Sequence, residues 1–188
     1  MSSNTFLIVG LGNPGPDYSN TRHNVGQMVL DVLANRINEK FKSHKAGAFV
    51  AEGKVHGNKI ILAKSTGYMN TSGQPVAALL KFYNLPPEQL IVIHDELDLD
   101  FGQIKIKYSG GHAGHNGLRS IIASSGNDFI RIRFGIGRPQ GSQDPADFVL
   151  KSFSTNEKTE LPVLLELAAD MVETIVVEGL QAAQQKHH

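Results

Sequence analysis

Two short, unbroken apolar runs mark this chain, Phe6-Leu7-Ile8-Val9 and Leu90-Ile91-Val92-Ile93. Runs of that length bounded by turn residues predict strands buried on both faces, the first spanning Thr5 to Val9. Between them the period changes. From Asn24 to about Ile37 the apolar positions Val25, Met28, Val29, Val32, Leu33 and Ile37 fall at helical spacing and predict a one-sided helix. Ala48 to His56 and Lys59 to Lys64 read as strands joined by a hairpin turn at Gly57-Asn58. Ser65 to Ser72 reads as a loop leading into a second helix, which Pro86-Pro87 stops near Asn84.

Beyond the second apolar run the polar positions become more regular. Gln103 to Tyr108 alternates, as does Phe129 to Gly137, where Ile130, Ile132 and Phe134 share one face and Arg131 and Arg133 the other. The glycine- and histidine-rich loop Ser109 to Gly117 opens into a helix near Leu118 to Ser124. Asp144-Pro145 reads as an N-cap with proline at the first helical position, and Ser154-x-x-Glu157 as a capping box. The long helix it starts covers about 155–179, with Pro162 a place for a kink, and leaves a tail at 180–188. Strands alternating with helices, and at least one hairpin, predict an α/β fold: a single-domain three-layer sandwich over residues 1–188. Its twisted mixed sheet is flanked by helices.

Composition narrows the picture only a little. The chain has 188 residues, 40% apolar, and equal acids and bases, so an anionic partner must be met by a local basic patch. With no cysteine there is no disulfide or thiol chemistry, which fits a cytoplasmic protein. Met1-Ser2-Ser3-Asn4 lacks the order of a signal peptide. No apolar run approaches the roughly 18–20 residues of a membrane span. The terminal His187-His188 pair carries no chemical argument.

Candidate chemistry begins at His23, in Thr21-Arg22-His23-Asn24, where a loop enters a helix. Imidazole there can act as a general base, although a lone histidine is often structural. Just upstream, Gly10-Leu11-Gly12-Asn13-Pro14-Gly15 satisfies a dinucleotide-binding pattern. That motif needs its third glycine to open a helix facing the pyrophosphate. Here Pro16-Asp17-Tyr18-Ser19-Asn20 follows, and no acid stands where the motif's second parallel strand would end to hold a ribose.

Other constellations have competing readings. His94, His112 and His115 with Asp95, Glu96, Asp98 and Asp100 lack the spacing of a zinc or calcium motif, so no metal site is assigned. Asp95 stands at the C-terminal end of a buried strand, where open α/β sheets form ligand crevices. If the two apolar strands are parallel neighbours, Asp95 meets His23 and holds its tautomer; otherwise it caps a nearby amide. Asn13, Asn70 and Asn116 lie in loops near strand-to-helix junctions, and three such amides on one cleft would hold a carbonyl and a developing oxyanion. Asn116-Gly117 is equally an ordinary turn. No serine elbow and no cysteine exist, so hydrolysis would use activated water. Lys105 and Lys107 share a strand face, as do Arg131 and Arg133. With Arg119 and Arg138 near, they form either a phosphate patch or a solvated face.

Gly10-Leu11-Gly12-Asn13-Pro14-Gly15, then Tyr18 and Thr21-Arg22-His23-Asn24-x-Gly26, resembles the first signature of bacterial peptidyl-tRNA hydrolase. Tyr68-Met69-Asn70-x-Ser72-Gly73, His94-Asp95-Glu96-Leu97-Asp98, Gly110 to Gly117, Arg133 to Pro139 and Phe148-Val149-Leu150 resemble its further signatures in order. The resemblance implies an esterase that frees tRNA and peptide from peptidyl-tRNA with His-activated water and no covalent intermediate. It implies catalytic roles for His23 as base, Asp95 as its orienter and Asn116 at the water or carbonyl. Asn13, Tyr18, Asn24, Tyr68, Met69, Asn70 and His115 would contact substrate. Lys107 and Arg133, assisted by Lys105, would clamp the tRNA phosphate. It also implies a monomer with no cofactor and no membrane partner. Ser65 replaces a common proline, and Ser109 the first of three glycines. An RNA-binding relative without chemistry and a dinucleotide-dependent enzyme are the competing functions.

Overall fold

A computed structural model describes residues 4–188, so the reading of Met1-Ser2-Ser3 lies outside the described residues. Seven strands form one sheet: β1 (Thr5–Gly10), β2 (Lys42–His44), β3 (Ala48–Val55), β4 (Asn58–Ser65), β5 (Leu90–Glu96), β6 (Ile104–Tyr108) and β7 (Ile130–Gly135). Their order is β2-β3-β4-β1-β5-β7-β6. The inner strands β4, β1, β5 and β7 are parallel, and antiparallel β3 and β6 flank them, with β2 outermost beside β3. The sheet is therefore mixed, and its two apolar strands are neighbours, with Val9 in register with Val92.

Helices cover both faces. α1 (Val25–Arg36) and α5 (Thr155–Glu178) pack on the face carrying Ile8, Ile60, Ile91, Ile93, Ile132 and Phe134. α2 (Gly73–Phe82) and α3 (Asn116–Ser125) cover Leu7, Val9, Ile61, Val92 and Phe129. Alternate strand residues point to opposite faces, so each inner strand contributes to both layers. Short α4 (Pro145–Val149) precedes the Ser154 capping box, whose two reciprocal bonds, at 3.2 and 2.8 Å, start α5. α5 runs through Pro162 as one helix.

Several boundaries move. The hairpin turn is His56-Gly57, with φ of 47° and 84°, because a type I′ turn needs two left-handed residues; Asn58 is already in β4. Strand β2 escapes the pattern because three residues, Lys42-Ser43-His44, have no apolar alternation. The expected tail at 180–188 is largely helix: α6 (Leu180–His187) buries Ala183, and Gln184 Nε2 donates to Ile106 O of edge strand β6 at 3.2 Å. A helix on an edge strand satisfies backbone groups that would otherwise face water.

The glycine motif acts through packing. A Cβ on Gly10 would stand 2.3 Å from Gly26 O, and one on Gly26 would stand 2.2 Å from Ile93 O. The missing side chains let α1 press against the ends of β1 and β5. A 3-10 turn, Arg22–Asn24, precedes α1, so the helix begins ten residues after Gly15, too late to form a phosphate loop.

Candidate active site

The parallel strands end along one line, and a crevice of about 410 Å³ opens there. It is lined by His23, Asn13, Tyr68, Met69, Asn70, His94, Asp95, Glu96, Leu97, His112, His115 and Asn116, with Pro145, Ala146, Val149 and Leu150 along one wall. Asp95, near the end of β5, is 3% exposed. Its Oδ2 lies 2.8 Å from His23 Nδ1, and its Oδ1 lies 2.8 Å from His115 Nε2. Both oxygens are thus occupied by imidazole. Asp95 does not cap a neighbouring amide.

The two histidines use their rings differently. His23 Nδ1 donates to Asp95, which leaves Nε2 with its lone pair on the crevice side. Burial alone would lower the His23 pKa, but the charge and hydrogen bond of Asp95 outweigh it and raise the value above the ordinary 6.5. Those two imidazoles pull Asp95 well below the carboxylate range despite its burial. His115 is the N-cap of α3: Gly117 and Leu118 N–H donate to its Nδ1 at 3.1 and 3.4 Å. Nδ1 must accept, so Nε2 carries the proton given to Asp95. Both His115 nitrogens are spent on protein, and neither is left for a substrate. His115, expected among the substrate contacts, lines the crevice and also gives Asp95 a second hold.

His94 faces His115 edge-on and donates Nδ1–H to Asp95 O at 2.8 Å. Complete burial, then the adjacent His115, push its pKa down to about 3, so it stays neutral. His23, Asp95 and His115 also sit close enough to suggest a metal group. The nitrogens nearest one another are already bonded to the carboxylate, and an ion between them would have to break both bonds.

The asparagines divide. Asn13 Oδ1 accepts from Met69 N–H at 2.7 Å, which turns its Nδ2 toward the crevice as a donor. Asn24, expected to touch substrate, is 2% exposed and locked to the Asn13 backbone. Asn13 N–H donates to its Oδ1, and its Nδ2 donates to Asn13 O, both at 2.9 Å. It shapes the turn that carries Asn13 and does not reach the crevice. Asn70 and Asn116 are exposed on the crevice wall, Asn116 as the first residue of α3. Met69 is buried with its sulfur over Gly117, where a Cβ would fall 2.6 Å from Sδ. Tyr68 is 57% exposed at the mouth, with Tyr18 edge-on at 6.2 Å and outside the lining.

The cations flank this crevice. β6 and β7 are antiparallel, with Lys105 opposite Arg133 and Lys107 opposite Arg131, so all four share a face. Lys105 and Lys107 are exposed, and Arg133 donates Nε–H to Glu96 at 3.0 Å while Glu96 lines the crevice. Arg131 is buried, and Arg138 is engaged by Asp98 at 2.8 Å. The periodicity gave no sign of Arg22. Its Nη2 meets Glu157 at 3.1 Å, its Nη1 donates to Phe148 O at 3.2 Å, and its guanidinium lies 3.9 Å over the Phe148 ring. That buried brace ties the His23 turn to α4 and to the α5 capping box; only its adjacency to His23 in sequence pointed to it.

A mixed α/β sheet here carries a carboxylate-held histidine and facing amides at its strand ends, an arrangement suited to a hydrolase. The chain belongs to the peptidyl-tRNA hydrolase family, whose model matches residues 7–188. It is 58% identical over 189 residues to a peptidyl-tRNA hydrolase of Arthrobacter sp. (strain FB24), covering 99% of this chain and 97% of that one. The Mycolicibacterium smegmatis peptidyl-tRNA hydrolase is 53% identical, with 97% of each chain covered. The crystal structure of peptidyl-tRNA hydrolase from Acinetobacter baumannii superposes with a TM-score of 0.92 at 37% identity, over 99% of this chain and 95% of that one. A Helicobacter pylori 5′-methylthioadenosine/S-adenosylhomocysteine nucleosidase shares the fold alone, with a TM-score of 0.57 at 9% identity.

Proposed function

We propose that this chain hydrolyses the ester joining a peptide to the tRNA ribose, with His23 as the base that activates water. One observation carries the reading: His23 Nδ1 is held by Asp95 while Nε2 faces a crevice bearing Asn13, Asn70 and Asn116. Nε2 takes a proton from a water held by Asn116 as its oxygen attacks the ester carbonyl. Asp95 steadies the imidazolium, and the amide of Asn13 donates to the developing oxyanion. Collapse breaks the bond to the ribose oxygen, which receives the proton back from His23, leaving a peptide acid and free tRNA. No protein atom bonds to the substrate. General-base action supplies roughly 10²–10⁴-fold, and oxyanion donors a comparable factor.

The wall explains a preference for blocked amines. Both Asp95 oxygens are held by imidazole, and Glu96 is shared between Arg133 and Asp98 N–H. A free α-ammonium would lose its water for carboxylates already shared with other donors, which is costly. An acylated amine instead meets Met69, Leu97 and Val149. Beside the crevice, Lys107 and Arg133, with Lys105, receive the tRNA phosphate and align the ester. The enzyme acts as a cytoplasmic monomer on this reading. Among the described residues no helix is long and apolar enough to cross a membrane.

The test is incubation with N-acetyl-aminoacyl-tRNA beside unblocked aminoacyl-tRNA. Release from the first only is expected, with His23→Ala lowering kcat by about 10²–10⁴-fold. Unchanged turnover in His23→Ala would sink the mechanism.

A further inference from the structure

Arg131 is 2% exposed, although its three companions Lys105, Lys107 and Arg133 all keep some access to solvent. Its Nη1 donates to Gly111 O and its Nη2 to Gly110 O, the latter at 2.5 Å, and the guanidinium lies 4.5 Å over the Phe129 ring. A planar guanidinium that ends on two consecutive carbonyls fixes a backbone with a rigid fork that a rotating ammonium lacks. This loop needs holding. Ser109 and Ala113 are non-glycine residues at φ 63° and 48°, in the left-handed region that side chains disfavour.

The held segment connects two ways. Downstream, His115 N–H donates to His112 O at 2.9 Å, and His115 then binds Asp95. On the other side lies Lys107, the ladder partner of Arg131. A Cβ on Gly110 would come within 2.9 Å of Lys107 Nζ. Gly110 therefore touches the ammonium of the patch on one side, while its carbonyl accepts from Arg131.

We propose that Arg131 is a positioning residue that joins Lys107 and the Gly110–Asn116 loop into one unit. Seating a tRNA phosphate on the patch then sets His115 and Asn116 against the His23–Asp95 pair. This rests on the reading of Lys107 and Arg133 as a phosphate clamp.

The experiment compares kcat for N-acetyl-aminoacyl-tRNA with and without its 5′-phosphate. Wild type should turn over the phosphorylated substrate faster at saturation. Arg131→Lys keeps the charge and loses the paired bonds, and should shrink that kcat advantage by about three- to tenfold. Adding Lys107→Ala should then cost little more, because the two act as one unit. A kcat advantage preserved in Arg131→Lys overturns the proposal, as do strictly additive losses. A wild type that hydrolyses neither substrate refutes the functional reading itself, and one that hydrolyses both with no phosphate dependence refutes the clamp. A second measurement needs no change at Arg131. Titrating the intact protein with inorganic phosphate should move the backbone amide resonances of His115 and Asn116, and should not do so in Lys107→Ala. Shifts at Lys107 that leave the loop unmoved overturn the proposal.

Discussion

The crevice and the β6–β7 face treat charge in opposite ways. At the crevice Asp95 is buried, each oxygen is taken by an imidazole, and the free valence of the group is narrowed to one nitrogen of His23. On the β6–β7 face Lys105 and Lys107 are exposed and Arg133 is partly committed, to Glu96, while Arg131 alone is buried beneath the loop. Burial there fixes protonation and angle, as proton transfer requires. Exposure on the patch preserves reach and hydration, as capture of a large polyanion requires. The two regions therefore differ in what salt, pH and conservative substitution do to them.

The sharpest way to break the contrast is Asp95→Asn. The side chain keeps its shape, but it offers an amide to one imidazole where both histidines now donate to carboxylate oxygens. His23 then loses both its tautomer and the charge that raises its pKa. We expect kcat to fall by about 10²–10⁴-fold, as for other orienting carboxylates. In the wild type the base is lost as pH falls through the raised His23 pKa. The acid limb of residual activity in Asp95→Asn should move to lower pH. A limb that stays where it was would mean another group titrates.

The patch should respond to salt where the crevice does not. Raising ionic strength from about 50 to 200 mM should weaken tRNA binding steeply and raise KM for tRNA. Lys107→Ala should flatten that salt slope by about one unit and raise KM for tRNA several-fold. If Lys107→Ala leaves the slope untouched, Lys107 is only a solvated strand residue.

Legibility in the sequence follows the same division. The apolar runs at Phe6–Val9 and Leu90–Ile93 announced inner strands because burial on both faces leaves an unbroken pattern, and their pairing brings His23 and Asp95 together. The alternation at Lys105/Lys107 and Arg131/Arg133 announced a shared face, and the ladder register supplies it. Roles that depend on where a single polar atom ends were not legible. Asn24 and His115 sit beside site residues in sequence, yet their side chains turn inward to a backbone and to a helix N-terminus. Arg131 looked like its neighbour Arg133, and only the fold of the Ser109–Gly117 loop over it decides that it is buried. The helix at 180–187 was hidden because its apolar face is short and gains its support from β6.

The smallest effect concerns a buried group that catalysis does not use. His94 donates to Asp95 O and is held neutral by burial, with a pKa of about 3 against 6.5 when unfolded. Between those values the unfolded chain binds a proton that the folded chain refuses, so His94 removes stability as pH falls from 6.5. His23 works in the opposite sense. Its raised pKa adds stability below 6.5 and loses it as pH rises through the folded value. The low pKa of Asp95 adds a further loss, but only as pH falls below its ordinary 3.8. Between pH 6.5 and about 4 the His23 contribution is already complete and constant, so the slope in that window belongs to His94. His94→Asn keeps a donor for Asp95 O and cannot titrate. Thermal melts across that window should fall less steeply with acid in His94→Asn than in the wild type. Parallel curves would mean that His94 takes up its proton in the folded crevice, and the contrast between a proton-excluding site and a hydrated patch would fail at its most buried point.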